Sequence, residues 1–233
     1  MKNLIIYTLL IIGSININLN AQTAIGGRLG LSFISYDHSQ AIEFFKAKQI
    51  MALSPQYALL VFNPHSNNRL TFQQELLLSE KGATYLWKYD SLENKDKIRE
   101  SYVDMPFLVK YTFGKTVAKL KFFINCGLYV GYQLKYKYYD FFNNICYSDL
   151  TNYSLIERLD FGNIIGAGLT YKFWKGEFVA EIRYTDSYYL NGDNVGIRYR
   201  SDYRLVGLNA GYMFKMGTDK KTKSDNINAA LIN

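Results

Sequence analysis

Residues 119–138 read KLKFFINCGLYVGYQLKYKY. The even positions are Leu120, Phe122, Ile124, Cys126, Leu128, Val130, Tyr132, Leu134 and Tyr136, an unbroken apolar series. The odd positions are Lys121, Phe123, Asn125, Gly127, Tyr129, Gly131, Gln133 and Lys135, which mix charge, amide, glycine and aromatic groups. A repeat of two places the two sets on opposite faces of one β-strand. A strand in an ordinary globular sheet runs about 5–6 residues, and this one is far longer. A tilted strand crossing hydrocarbon needs about 9–11 residues and can continue beyond it. The clean face suits lipid, and the mixed face suits the inside of a barrel.

The same alternation recurs seven times. Residues 24–36 carry Ile25, Gly27, Leu29, Leu31 and Phe33 on one face, and residues 50–62 carry Leu53, Tyr57, Leu59 and Val61. The third strand, 69–79, has Leu70, Phe72, Leu76 and Leu78 outward, with Gln74 interrupting that face. The fourth, 101–113, has Val103, Met105, Phe107, Val109, Tyr111 and Phe113 outward. Strands at 156–174, 177–185 and 203–214 complete the set. The gaps between them alternate: 37–49, 80–100, 139–155 and 186–202 are long and polar, while the other three are short. The pattern predicts an all-β, eight-stranded antiparallel up-and-down transmembrane β-barrel. Short turns then face the periplasm together with both termini, and the long loops face outward. Two local features are specific. Pro55 lacks a ladder donor, which predicts a bulge or a shortened pairing in the second strand. Lys175–Gly176 predicts a tight turn with Gly176 at positive φ.

Composition agrees with a barrel. Hydrophobic residues are 48% of the chain of 233, yet no internal apolar run is long enough for a membrane helix. Mean hydropathy is only −0.13, as strands of alternating polarity produce. The 21 Tyr suit positions between an apolar and a wet environment. Residues 1–21 read as a secretory signal peptide, with Lys2 at the start, an apolar stretch from Leu4 to Ile12, and Ala21 as the last residue removed. The barrel domain is then 22–214, and 215–233 is a polar C-terminal tail. Net charge is +7, but an exported membrane barrel excludes a nucleic-acid partner. Lys81, Lys88, Lys95, Lys97 and Arg99 are read as loop residues able to meet anionic lipopolysaccharide.

Ten charged residues fall on inward positions: Arg28, Glu75, Asp104, Lys110, Lys121, Arg158, Asp160, Lys172, Glu181 and Arg183. Eight strands leave an interior that side chains can fill, so these charges predict a packed polar plug. Inward glycines such as Gly162, Gly166 and Gly168 make room for bulky neighbours such as Tyr129. Aromatic girdles are expected from Phe62, Phe113, Phe173, Trp174 and Phe214 at one end. At the other they are expected from Tyr36, Trp87, Tyr102, Tyr136, Tyr138, Tyr188, Tyr189 and Tyr203. His38, beside Ser35, Asp37 and Ser39, resembles the external His, Asp and Ser of the lipid A palmitoyltransferases. Adjacent loop residues rarely reach the geometry that nucleophilic chemistry needs, so no catalytic residue is assigned. His65 has no ligand partner, and no metal or cofactor site is assigned. Cys126 lies mid-strand on the lipid face, about ten strand residues or about 30 Å from the rim that leads to Cys146, so a disulfide is out of reach and Cys126 is read as free.

The run Tyr102-Val103-Asp104-Met105-Pro106-Phe107-Leu108-Val109-Lys110-Tyr111 resembles the PorT-like outer-membrane β-barrel family of Bacteroidetes. The signal ending in Asn20-Ala21-Gln22 and the glycine-rich sixth strand fit the same family. The resemblance implies fold and outer-membrane location. The polar tail after Phe214 departs from barrels that end on an aromatic strand residue. The resulting expectation is a non-enzymatic integral outer-membrane protein whose external loops are binding or structural surfaces. Its partners are outer-membrane lipid and lipopolysaccharide, the barrel-assembly machinery during insertion, and envelope proteins met through the loops. The alternatives are a secreted soluble β-barrel ligand carrier with its apolar face inward, and a lipid-modifying enzyme.

Overall fold

Alternation fixes which way each side chain points, and pairing then closes the chain on itself. The computed structural model describes residues 23–37, 48–50, 52–64, 69–89, 92–114, 118–140, 145–148, 158–189 and 202–216. The signal segment 1–21, His38, His65 and the tail beyond 216 lie outside these residues. The strands are β1 (Thr23–Asp37), β2 (Lys48–Ile50), β3 (Ala52–Pro64), β4 (Leu70–Tyr89) and β5 (Leu92–Thr112). They continue with β6 (Leu120–Asp140), β7 (Ile145–Tyr147), β8 (Leu159–Phe173), β9 (Gly176–Tyr189) and β10 (Asp202–Met216). Strands β1, β3, β4, β5, β6, β8, β9 and β10 pair in succession, and β10 returns to β1 antiparallel. The result is a closed eight-stranded antiparallel barrel. Short β2 and β7 add to β4 and β6 at one end.

The register sets the barrel's dimensions. From Ile25 the paired residues run through Val61, Gln74, Phe107, Leu128, Asn163, Asp186 and Arg204. The circuit returns to β1 at Ser35, so the stagger is ten residues. Eight strands about 4.8 Å apart, with a rise of about 3.3 Å per residue, then tilt about 40°. The backbone radius is about 8 Å, and each residue advances about 2.5 Å along the axis.

The apolar face is outside. Leu29, Leu53, Phe122, Leu128, Ile165 and Ile182 are each about 60% exposed (58–66%). An apolar belt of this extent on every strand is not a surface that a soluble monomer keeps in water. It also rules out the carrier alternative, whose apolar face must point inward. Tyr111, Phe113, Phe173, Phe178, Tyr212 and Phe214 stack edge-on or tilted at the short-turn end, with ring centroids 4.7–5.4 Å apart. Phe113, Phe173 and Phe214 of the expected girdle are in this set, joined by Tyr111, Phe178 and Tyr212. Trp174 is exposed beside them, and the Phe62 side chain lies outside the described residues.

Several expectations are corrected. Residues 80–100 are not a loop: β4 and β5 run on as a long hairpin to Tyr89 and Leu92. Pairing persists there, but Lys81 to Tyr85 are buried at both parities and the facing positions are mostly polar or small, which hid the strand from an apolar pattern. Loops 37–49 and 139–155 likewise contain β2 and β7. In the organising strand, Ser101 faces Lys135 while Tyr102 faces Gln133, so Leu134 is an extra residue in β6. This bulge turns Lys135 and Lys137 outward and brings Tyr136 opposite inward Glu100, reversing the expected faces. Pro55 behaves as expected. The β3–β4 pairing stops at Gln56, and the register has shifted by one residue where β2 takes over. The Ser54 hydroxyl donates to the Glu80 carbonyl beside the missing proline donor. At the 173–176 turn, positive φ falls on Trp174 (φ 50°), not on Gly176. Gly176 is needed for space, because a Cβ there would lie 2.0 Å from the Met213 carbonyl.

Candidate functional site

The inward positions of all eight long strands converge on the barrel axis, and their side chains form successive layers. Nearest the short turns, Phe123, Val179 and Met213 begin an apolar cluster that Ala58 and Leu77, farther up the wall, also join. The Lys110 ammonium sits 3.9 Å above the Phe123 ring. Next comes a four-charge lattice. Arg28 donates to Glu75 at 2.7 Å and to Glu181 at 2.8 Å. Arg183 donates twice to Glu75, both at 2.8 Å, and to Glu181 at 3.0 and 3.1 Å. Gln73 donates to Glu75 as well, and Asn125 to Glu181 at 2.8 Å. Two guanidinium groups and two carboxylates cancel, and the planar forks match the carboxylate geometry.

A second cluster lies beyond it. Lys81 donates to Asp160 and, at 3.4 Å, to Asp104. Its ammonium also lies 4.3 Å from the Tyr102 ring centre and 4.8 Å from that of Tyr129. Ser79 donates to Asp104 at 2.7 Å; Ser187 and Tyr129 donate to Asp160 at 2.8 and 3.0 Å. At the long end, Tyr102 and Tyr203 hydroxyls donate to Glu100 at 2.7 and 2.9 Å. Ile34, Ala83, Tyr85, Tyr203 and Leu205 form an apolar layer beside that site.

Glycines create the volume for these groups. A Cβ on Gly162 would come within 2.8 Å of the Tyr129 ring, and one on Gly166 within 2.5 Å of Glu181. Pro106 points inward and is fully buried, and the β4–β5 pairing lapses there between Gln74–Phe107 and Leu77–Asp104. The proline of the Asp-Met-Pro run thus interrupts the wall beside Glu75 and just short of Asp104.

Arg28, Glu75, Asp104, Lys110, Asp160, Glu181 and Arg183 are all inward and buried, as alternation predicts. The structure adds Lys81, read from sequence as a loop residue, which is 3% exposed inside the barrel. It also corrects Tyr102 and Tyr203, expected in a girdle but each 4% exposed in the interior. Period-two counting carried past Ser79 and back from Ser101 would have found Lys81. Cys126 and Cys146 are both free and exposed. Cys146 pairs beside Tyr139, thirteen residues along β6 from Cys126. Among the described residues no cluster of three or more His, Cys, Asp or Glu is placed to hold a metal ion.

A closed barrel with an apolar exterior, aromatic girdle and charge-filled interior is an integral outer-membrane barrel. The chain belongs to the family described as outer membrane protein beta-barrel domain, whose sequence model matches residues 20–187. Among solved structures it is similar to the outer membrane protein OprG from Pseudomonas aeruginosa. That likeness has a TM-score of 0.51 and 12% identity, covering 85% of this chain and 97% of that one. It is also similar to Neisserial surface protein A, with TM-score 0.44, 13% identity and coverage of 83% and 99%. A third likeness is to Ail of Yersinia pestis, with TM-score 0.40, 12% identity and the same coverage. At such identities the likeness speaks to fold alone. No curated protein sequence matches the chain.

Proposed function

We propose that this protein is a non-enzymatic, PorT-like outer-membrane barrel whose sealed interior braces the surfaces presented at its long end. In this reading the short turns face the periplasm and the extended β4–β5 hairpin faces the exterior. Insertion is by the barrel-assembly machinery, and the exposed ends meet lipopolysaccharide and envelope proteins. One observation carries it: Arg28, Glu75, Glu181 and Arg183 interlock across the full bore, with every charge answered. A buried lattice of that kind costs several kcal/mol to open, so ions have no standing path through it. No carboxylate in it is left free to act as a nucleophile or general base. The test is conductance of the purified protein in planar bilayers. Silence or rare small openings are expected; stable nanosiemens currents would overturn the sealed-interior reading.

A further inference from the structure

Beyond Leu78 on β4, Val103 on β5 and Leu134 on β6, the outward face of the barrel stops being apolar. On the same side of the wall follow Glu80, Ser101 and Lys135, then Gly82, Arg99 and Lys137, then Thr84, Lys97 and Tyr139, each row aligned by strand pairing. Gly82 and Thr84 of β4 are buried, while Arg99, Lys135 and Lys137 are exposed. Arg99 therefore stands directly opposite Lys137. Such partners are about 5 Å apart, and like charges placed there destabilise a sheet. Lys97 has Lys95 and Arg99 two residues away on the same face of β5. Partial burial first, and then Arg99 and Lys95, hold the Lys97 ammonium below its ordinary pKa. Two carboxylate residues share this register on β4 and β5: Glu80, 3.9 Å from Arg99, and Glu93, which pairs with Lys88 near the hairpin tip. The bulge at Leu134 is what adds Lys135 and Lys137 to this side.

A surface that repels itself is relieved by an anion supplied from outside. The height of the surface indicates which anion. At about 2.5 Å of axial advance per residue, the basic rows lie from about 3 to about 15 Å beyond the last apolar row. The polar headgroup layer of a bilayer begins at that depth. We infer that the outward face carrying Lys97, Arg99, Lys135 and Lys137 docks the phosphate groups of lipopolysaccharide in the outer leaflet. This rests on the reading that the long end faces the exterior.

The test uses the full mature chain in detergent, titrated with lipopolysaccharide, with enzymatically dephosphorylated lipopolysaccharide and with phosphatidylglycerol. Replacing all four residues with Gln (Lys97→Gln, Arg99→Gln, Lys135→Gln, Lys137→Gln) is expected to weaken lipopolysaccharide binding at least tenfold. Each basic group near an anionic surface contributes about 1 kcal/mol, or roughly fivefold. Dephosphorylation asks the same question of the wild-type protein, without any substitution, and the same loss is expected. Unchanged affinity in both arms overturns the inference, and so does equal binding of phosphatidylglycerol. Orientation is read separately, by an impermeant maleimide on Lys137→Cys in a chain lacking Cys126 and Cys146. Labelling on intact cells supports the external face whatever the binding result. Protection until the membrane is opened overturns the orientation, and the inference with it.

Discussion

Replacing Glu75 with Gln probes the lattice at its centre. Glu75 is fully buried, takes three guanidinium N–H bonds from Arg28 and Arg183 at 2.7–2.8 Å, and accepts a fourth from Gln73. Glutamine keeps the volume but removes the charge. Arg28 and Arg183 are then left with Glu181 as the one carboxylate of the lattice, an excess of one positive charge in the bore. Breaking a buried pair in this way costs about 3–5 kcal/mol. That is a large share of a total stability of about 5–15 kcal/mol. The assay is urea unfolding in lipid vesicles, followed by the mobility of unheated samples on gels and by Trp fluorescence. A balanced double replacement, Glu75→Leu with Arg183→Met, leaves Arg28 paired with Glu181. It should be more stable than either single replacement, with a coupling of about 0.5–3 kcal/mol in its favour. A Glu75→Gln protein within about 1 kcal/mol of wild type would refute the lattice as a cooperative brace. So would single losses that simply add.

Two further outcomes are expected. His38→Ala should leave the lipid A acylation profile unchanged, as mass spectrometry of extracted lipid will read; loss of one acyl group would restore the enzyme alternative. The native chain should carry two free thiols, with Cys126 reacting with an apolar maleimide from the lipid phase. A mass change of two hydrogens on reduction would mean that Cys126 and Cys146 are joined.

The fold was legible because alternation is a direct image of the barrel wall. β1, β8, β9 and β10 lie where period-two reading places them, and their inward charges are where counting puts them. Recognition failed where the outside ceased to be lipid. From Glu80 to Glu100 both faces are mixed, so the strand lost its apolar signature although its pairing continued. That error misplaced Lys81, whose two carboxylate partners come from β5 and β8 and share no local signal with it. The Leu134 bulge is another case. A single extra residue reverses every later side chain, and nothing in Gln133-Leu134-Lys135 marks it. Partner choice within the lattice was equally hidden, since Arg28 and Glu181 lie 153 residues apart.

The most direct test of the account is a nitroxide scan along β6, residues 120–138, in lipid vesicles, measuring collision with oxygen and with a water-soluble nickel chelate. Oxygen contact should peak at even positions from Leu120 to Leu134. The phase should then invert, with Lys135 and Lys137 exposed to the nickel reagent and Tyr136 shielded. Oxygen peaks at the odd positions, or nickel access along the even face between Phe122 and Val130, would contradict a lipid-facing barrel of this register.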